Sequence, residues 1–184
     1  MEDYKLQEES KQGLIHLYYG DGKGKTTASI GLAIRAAGTG RTVIFAQFLK
    51  GGATGELCSF EKHPNIKVIR SKKDLGFLFQ MSSEEKQQAA DINQQVLEEA
   101  IEQVSVLSAD VLVLDEITHA FSSEVIKQEC IKNFLQNKPK ELEVILTGRN
   151  PDSFFFDISD YITEMKCVRH PFEKGVPARE GVEF

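Results

Sequence analysis

Tryptophan is absent from the 184 residues, and cysteine and proline are scarce, at three and five. Cys58, Cys130 and Cys167 are odd in number and have no C-x-x-C spacing, which argues against a disulfide or zinc framework and fits a reducing cytoplasm. No apolar run approaches the roughly 18 residues of a membrane-spanning helix, and Met1 to Gln12 is polar where an export signal would be apolar. A membrane protein is therefore not expected. Surplus positive charge is lacking too. The formal net charge of -6 argues against a nonspecific nucleic-acid binder, which needs many Lys and Arg to displace counterions from phosphates. An anionic ligand has to be held by a local arrangement. With 41% apolar and 27% charged residues the chain has a globular balance, and its length suits one well-buried core.

What the chain does contain is an alternation of apolar runs and helical patterns. Leu14 to Tyr19, Thr42 to Phe48, Ile66 to Arg70, Val111 to Leu114, Leu142 to Thr147 and Tyr161 to Val168 read as strands. Lys25 to Ala37 reads as a helix ended by Gly38 and Gly40. A capping box at Ser82 to Glu85 opens a long helix marked by Ala89, Val96, Leu97, Ala100 and Val104. A further helix is expected around Ser123 to Gln136, and a short helix or turn over Pro151 to Ser159. Lys50 to Gly55 reads as a glycine-rich loop and His170 to Phe184 as an irregular tail. Strands apolar on both faces, alternating with helices, imply an α/β fold with a mostly parallel sheet and helices on both faces. Such sheets bind ligands at the carboxyl ends of their strands. Three features fall there: Gly20 to Thr26, Asp115-Glu116 and Thr147-Gly148-Arg149.

The first is Gly20-Asp21-Gly22-Lys23-Gly24-Lys25-Thr26, between the first strand and the first helix. Glycines let backbone N–H groups turn inward around phosphate oxygens, and the helix behind them presents its positive end. Lys25 adds charge and Thr26 can ligate a metal ion, so the loop predicts a nucleoside triphosphate site. The common G-x-x-x-x-G-K-[ST] pattern has four residues between its glycines, whereas Gly20 and Gly24 enclose three. The phosphates need not sit where an ordinary ATPase holds them. A carboxylate of Asp115-Glu116 can hold Mg²⁺, directly or through water, between Thr26 and the phosphates. Arg149 and Lys50, each just past a strand, are candidate ligand contacts, Arg149 to nucleotide first, though such charges are about as often solvated or in structural salt bridges; His119 and His170 have no ligand spacing and read as structural.

These residues, with Thr27, Gln47-Phe48-Leu49-Lys50-Gly51, Gly76-Phe77, Leu146-Thr147-Gly148-Arg149, Thr163-Glu164-Met165 and the tail His170-Pro171-Phe172, Gly175, Ala178, Gly181 and Phe184, closely resemble the ATP:corrinoid adenosyltransferases of the cobalamin pathway. The short loop is that family's own form. The resemblance implies a P-loop NTPase-like (RecA-like) single domain over residues 14–184 behind a polar arm, 1–13. It implies transfer of the 5′-deoxyadenosyl group of ATP to the cobalt(I) of cobalamin, cobinamide or cobyrinic acid a,c-diamide, with triphosphate as leaving group and ATP held in reverse of the usual P-loop orientation. By the same likeness, Lys25 and Lys23 meet the leaving charge, Thr26 and Glu116 ligate Mg²⁺ or Mn²⁺, and Asp115 stands behind them or as an alternate ligand. Phe77 and Phe79 press on the lower face of the corrin, Phe79 standing where some members carry tryptophan. A flavoprotein reductant and a homodimer are also implied. The glycine loop and acidic strand end equally serve a P-loop ATPase or small-molecule kinase, which would cleave the γ-phosphate and release ADP.

Overall fold

Side chains that alternate between the two faces of the strands build two cores, one on each side of a sheet. The structure is a computed structural model and describes residues 12–73, 76 and 80–183. Its strands are β1 (Ile15–Tyr19), β2 (Val43–Gln47), β3 (Ile66–Arg70), β4 (Val111–Asp115), β5 (Glu143–Gly148) and β6 (Tyr161–Glu164). They form one sheet in the order β3-β2-β4-β5-β1-β6, and all its pairs are parallel. Every residue of β2 and β4 is buried, whereas every residue of the edge strand β6 is exposed. Central strands covered on both faces are what the near-continuous Val/Ile/Leu runs anticipate.

The helices are α1 (Lys25–Gly38), α2 (Gly55–Phe60), α3 (Ser83–Val106), α4 (Ile117–Ser122), α5 (Gln128–Gln136) and α6 (Ser153–Ile158). Ile44, Ala46, Leu112, Leu114, Val144 and Leu146 face Val96, Leu97 and Ala100 of α3 together with residues of α4, α5 and α6. The alternate positions Val43, Phe45, Val111, Val113 and Ile145 face Ala33 and Ala37 of α1 and Phe60 of α2. Alanines on α1 let the helix lie close to the sheet, which fixes where its first turn meets the end of β1. The capping box of α3 is present: Glu85 N–H donates to Ser82 Oγ at 3.3 Å and Ser82 N–H to Glu85 Oε2 at 2.8 Å. No helix among the described residues is long and apolar enough to cross a membrane.

Three elements differ from the sequence expectation. The helix expected around Ser123 to Gln136 is shorter, α5 beginning only at Gln128, and a separate helix that the sequence expectation does not include, α4, begins directly after Glu116; the chain turns between them at Glu124, with φ at 55°. Val125 and Ile126 are buried between them, so packing of this connection delays the start of α5. Gly55–Phe60 is helical where only a loop boundary is expected, because Phe60 anchors against Phe45 at a centroid distance of 4.8 Å. The last strand stops at Glu164 and the chain then turns to meet the glycine loop.

Leu112 is fully buried as the second residue of the central strand β4. Leu112→Ala is expected to lower unfolding free energy by about 2–5 kcal/mol in urea with an unchanged denaturant slope; a loss well under 1 kcal/mol would contradict this packing.

Candidate active site

The glycine loop leaves β1 and is held in place by the chain that follows β6. Gly22 N–H donates to Met165 O at 2.7 Å, and Met165 N–H to Tyr19 O at 2.7 Å. A Cβ on Gly20 or on Gly22 would meet Met165 O at 2.5 or 2.6 Å, so both glycines are required by this close approach. Gly20 and Gly24 also have φ of 115° and 121°, which side chains rarely adopt. Asp21 is exposed, and its Oδ1 accepts from Cys167 N–H at 3.0 Å; that hydrogen bond holds its carboxyl below the usual range. Asp21 thus fastens the loop from outside.

Gly24 precedes α1 with no side-chain cap, and the first turn carries no acidic residue. The free N–H groups of this 14-residue helix and its dipole therefore favour an anion above the loop. Lys25 is buried, and its Nζ donates to Gly20 O at 2.7 Å and Gly22 O at 2.8 Å, bracing the loop from inside. Burial pushes the Lys25 ammonium down, opposed by the charge of Glu116. Lys23 is exposed, and its Nζ donates to Val182 O at 3.0 Å in the tail.

Beside the loop lies a buried acidic centre. Asp115 is fully buried at the end of β4, and its Oδ1 accepts from Thr26 Oγ1 at 2.9 Å and Thr147 Oγ1 at 2.8 Å. Its Oδ2 accepts from Lys50 Nζ at 3.0 Å, with Gln47 Nε2 at 3.5 Å. Gln47 Nε2 also donates to Glu56 Oε1 at 3.0 Å, while Gln47 Oε1 is buried with no donor among the described residues. Glu116 takes a left-handed backbone, φ 64° and ψ 21°, and its N–H donates to Thr147 Oγ1 at 2.9 Å. Burial first, and the Asp115 carboxylate second, push the Glu116 carboxyl above its usual range, so a cation between the two acids would be welcome.

Three cavities open on these groups. One of about 240 Å³ sits over the loop and is lined by Lys25, Thr26, Glu116, Arg149 and His170. A second, of about 980 Å³, adjoins it at Glu116 and is walled by Phe48, Leu49, Lys50, Ala90, His119 and Val125. A third, of about 730 Å³, adjoins the loop at Thr26 and Thr27 and reaches Thr54, Glu56 and Arg70.

The structure therefore brings Asp21 to Thr27, Glu116 and Arg149 around one pocket, with Gly20 and the buried Asp115 behind it, bonded to Lys25 and Thr26. Arg149 is exposed at its rim. Phe77 and Phe79 lie outside the described residues, though Gly76 beside them lines both larger cavities. His170 Nδ1 accepts from Phe172 N–H and caps the turn Pro171–Lys174, in keeping with a structural role. Gln47 and Thr147 have no assigned role in the sequence-based expectation. Their signal is a polar residue closing an otherwise apolar strand.

A glycine loop at the join of β1 and α1, a buried acidic strand end, and one strand between the two define a P-loop nucleotide-binding fold. Two solved structures share that fold at low identity. A KaiC-like protein of Pyrococcus horikoshii has a TM-score of 0.55 at 14% identity, covering 84% of this chain and 72% of its own. The flagellar accessory protein FlaH of Methanocaldococcus jannaschii has 0.56 at 13%, covering 83% and 71%. The sequence model described as ATP:corrinoid adenosyltransferase BtuR/CobO/CobP matches residues 11–184. A corrinoid adenosyltransferase of Sinorhizobium sp is 34% identical over 176 residues, 95% of this chain and 81% of that protein. That of Escherichia coli is 32% identical over 180 residues, 97% and 89%. The chain belongs to the ATP:corrinoid adenosyltransferase family.

Gly22→Ala places a methyl group against Met165 O and must shift either the loop or the strand end. ATP affinity is expected to fall about tenfold, about 1.4 kcal/mol, with the circular dichroism spectrum retained; calorimetric affinity equal to wild type would contradict the close approach.

Proposed function

We infer that the protein transfers the 5′-deoxyadenosyl group of ATP to the cobalt(I) of a corrinoid and releases triphosphate. The observation that carries this reading is the short, braced glycine loop, present in a chain whose family membership spans residues 11–184. The cobalt(I) lone pair forms the Co–C5′ bond while the C5′–O bond breaks, and that electron pair leaves on the triphosphate oxygen. No proton is removed from the nucleophile, so no general base is needed.

The work of the protein is then electrostatic and positional. The uncapped N–H groups of α1, Lys25 and Arg149 would meet the charge that gathers on the leaving group, and a preorganised set of this kind is usually the largest catalytic term. Lys25 braces the loop through Gly20 O and Gly22 O, and a triphosphate lying on the loop would draw on the same ammonium. Lys23 would turn from Val182 O to do likewise.

The oxygen donors fit a hard divalent cation. Among the described residues no three His, Cys, Asp or Glu converge, which suits an ion that keeps phosphate oxygens and waters as ligands. Thr26 and Glu116 would hold Mg²⁺ or Mn²⁺, and the ion would neutralise triphosphate charge. Asp115 stands behind them, because both its oxygens already accept hydrogen bonds, one of them from Thr26; a cation on Thr26 Oγ1 would take the place of the Lys50 Nζ that now donates to that oxygen at 3.4 Å.

The cavity of about 980 Å³ adjoins Glu116 and has apolar walls at Phe48, Leu49 and Val125, which supports it as the side from which the corrin approaches. Phe77 and Phe79 remain the proposed contacts to its lower face. We also take residues 14–184 as one catalytic unit, working in the cytoplasm as a homodimer with a flavoprotein reductant.

Protein incubated with ATP, Mg²⁺ and chemically reduced cobalamin or cobinamide is expected to give the light-sensitive spectrum of an adenosylcorrinoid. No such product with either corrinoid would overturn the reading.

A further inference from the structure

Thr147, the penultimate residue of β5, is fully buried and lines none of the three cavities described above. It therefore touches neither the nucleotide pocket nor the corrin side directly. A hydroxyl has one proton to give and lone pairs to accept with. Here the proton goes to Asp115 Oδ1 at 2.8 Å, and a lone pair takes the Glu116 N–H at 2.9 Å. Thr26 donates to the same Asp115 oxygen at 2.9 Å, so two hydroxyls from different elements converge on one carboxylate atom.

Glu116 is the residue that most needs such support. Its left-handed backbone is uncommon for a side chain of this kind and persists only where the surroundings hold it. That conformation turns the chain from β4 into α4 with Glu116 lining both the loop pocket and the large cavity. The two residues after Thr147 grip the same turn. A Cβ on Gly148 would strike Thr118 Oγ1, so only glycine lets the start of α4 settle on the end of β5. Thr118 Oγ1 in turn donates to Arg149 O at 3.2 Å. A hydroxyl, a missing side chain and a carbonyl on three successive residues all address the turn from Asp115 to Thr118.

We propose that Thr147 is a positioning residue of the active site: its hydroxyl sets the Asp115-Glu116 turn so that Glu116 faces the glycine loop and Thr26 directs its proton toward Asp115. This rests on the reading that Thr26 and Glu116 hold the divalent cation with ATP. Valine keeps the branched shape that suits a strand but removes both hydrogen bonds, whereas serine keeps the hydroxyl and loses only a methyl group.

The test is the Mg²⁺ dependence of ATP binding by titration calorimetry, with wild type, Thr147→Val and Thr147→Ser compared, alongside adenosylation of chemically reduced cobalamin. In Thr147→Val the Mg²⁺ concentration for half-maximal tightening of ATP binding is expected to rise roughly tenfold or more, as for losses of groups that orient metal ligands. Thr147→Ser is expected to stay within about threefold of wild type. If Thr147→Val melts earlier but keeps the wild-type Mg²⁺ dependence, Thr147 is a packing residue only and the proposal is wrong. Should the valine variant not fold, Thr147→Ala, which also removes both hydrogen bonds, is read against the same thresholds. A wild-type protein whose ATP binding ignores Mg²⁺ would instead refute the underlying cation reading, so the two failures are distinguishable.

Discussion

A carboxylate removed from water and tied to four elements organises this molecule's active end. Asp115 is fully buried, and a buried carboxylate costs several kcal/mol unless donors surround it. Its donors come from the first turn of α1 (Thr26), the end of β2 (Gln47), the loop beyond it (Lys50) and the end of β5 (Thr147). Each must arrive at its own strand or helix end for the carboxylate to be satisfied. The sheet order supplies this, because β4 lies between β2 and β5, with β1 and its loop one strand further on. The same constraint that makes Asp115 tolerable in the interior brings the glycine loop to Glu116.

Charge around this centre is arranged for a polyanion accompanied by a cation. Lys25 and Arg149 line the loop pocket, Lys50 touches Asp115, and the free N–H groups of α1 point the same way. Against them stand Asp115 and a Glu116 whose carboxyl is raised by burial and by its neighbour. A triphosphate alone would sit uneasily near two acids, and a divalent cation alone would sit uneasily near the lysines. Together they match the site, which also explains why a chain of net charge -6 can hold ATP without a basic surface.

The parts of this arrangement that are legible in the sequence are the local ones. The loop Gly20 to Thr26, the acidic end of β4 and the Ser82-Glu85 box each depend on residues a few positions apart. What is not legible depends on distant contacts. The helix α4, absent from the sequence expectation, opens on a turn at Glu116 held by Thr147, 31 residues away. The anchoring of the loop by Asp21 and Cys167 spans 146 residues. Lys50 reads as a candidate ligand contact, and only the fold places it on Asp115. Gly22 suits a phosphate cradle by sequence, yet its N–H is given to Met165 O, so the short loop is also a strand-end fitting.

The central claim is that this loop holds a leaving group bonded to carbon instead of a phosphate under attack. Phosphorus NMR of a completed reaction with reduced corrinoid measures that most directly. The account predicts tripolyphosphate in amounts equal to the adenosylcorrinoid formed, without ADP. ADP and orthophosphate as the products would contradict it and return the loop to ordinary phosphoryl chemistry.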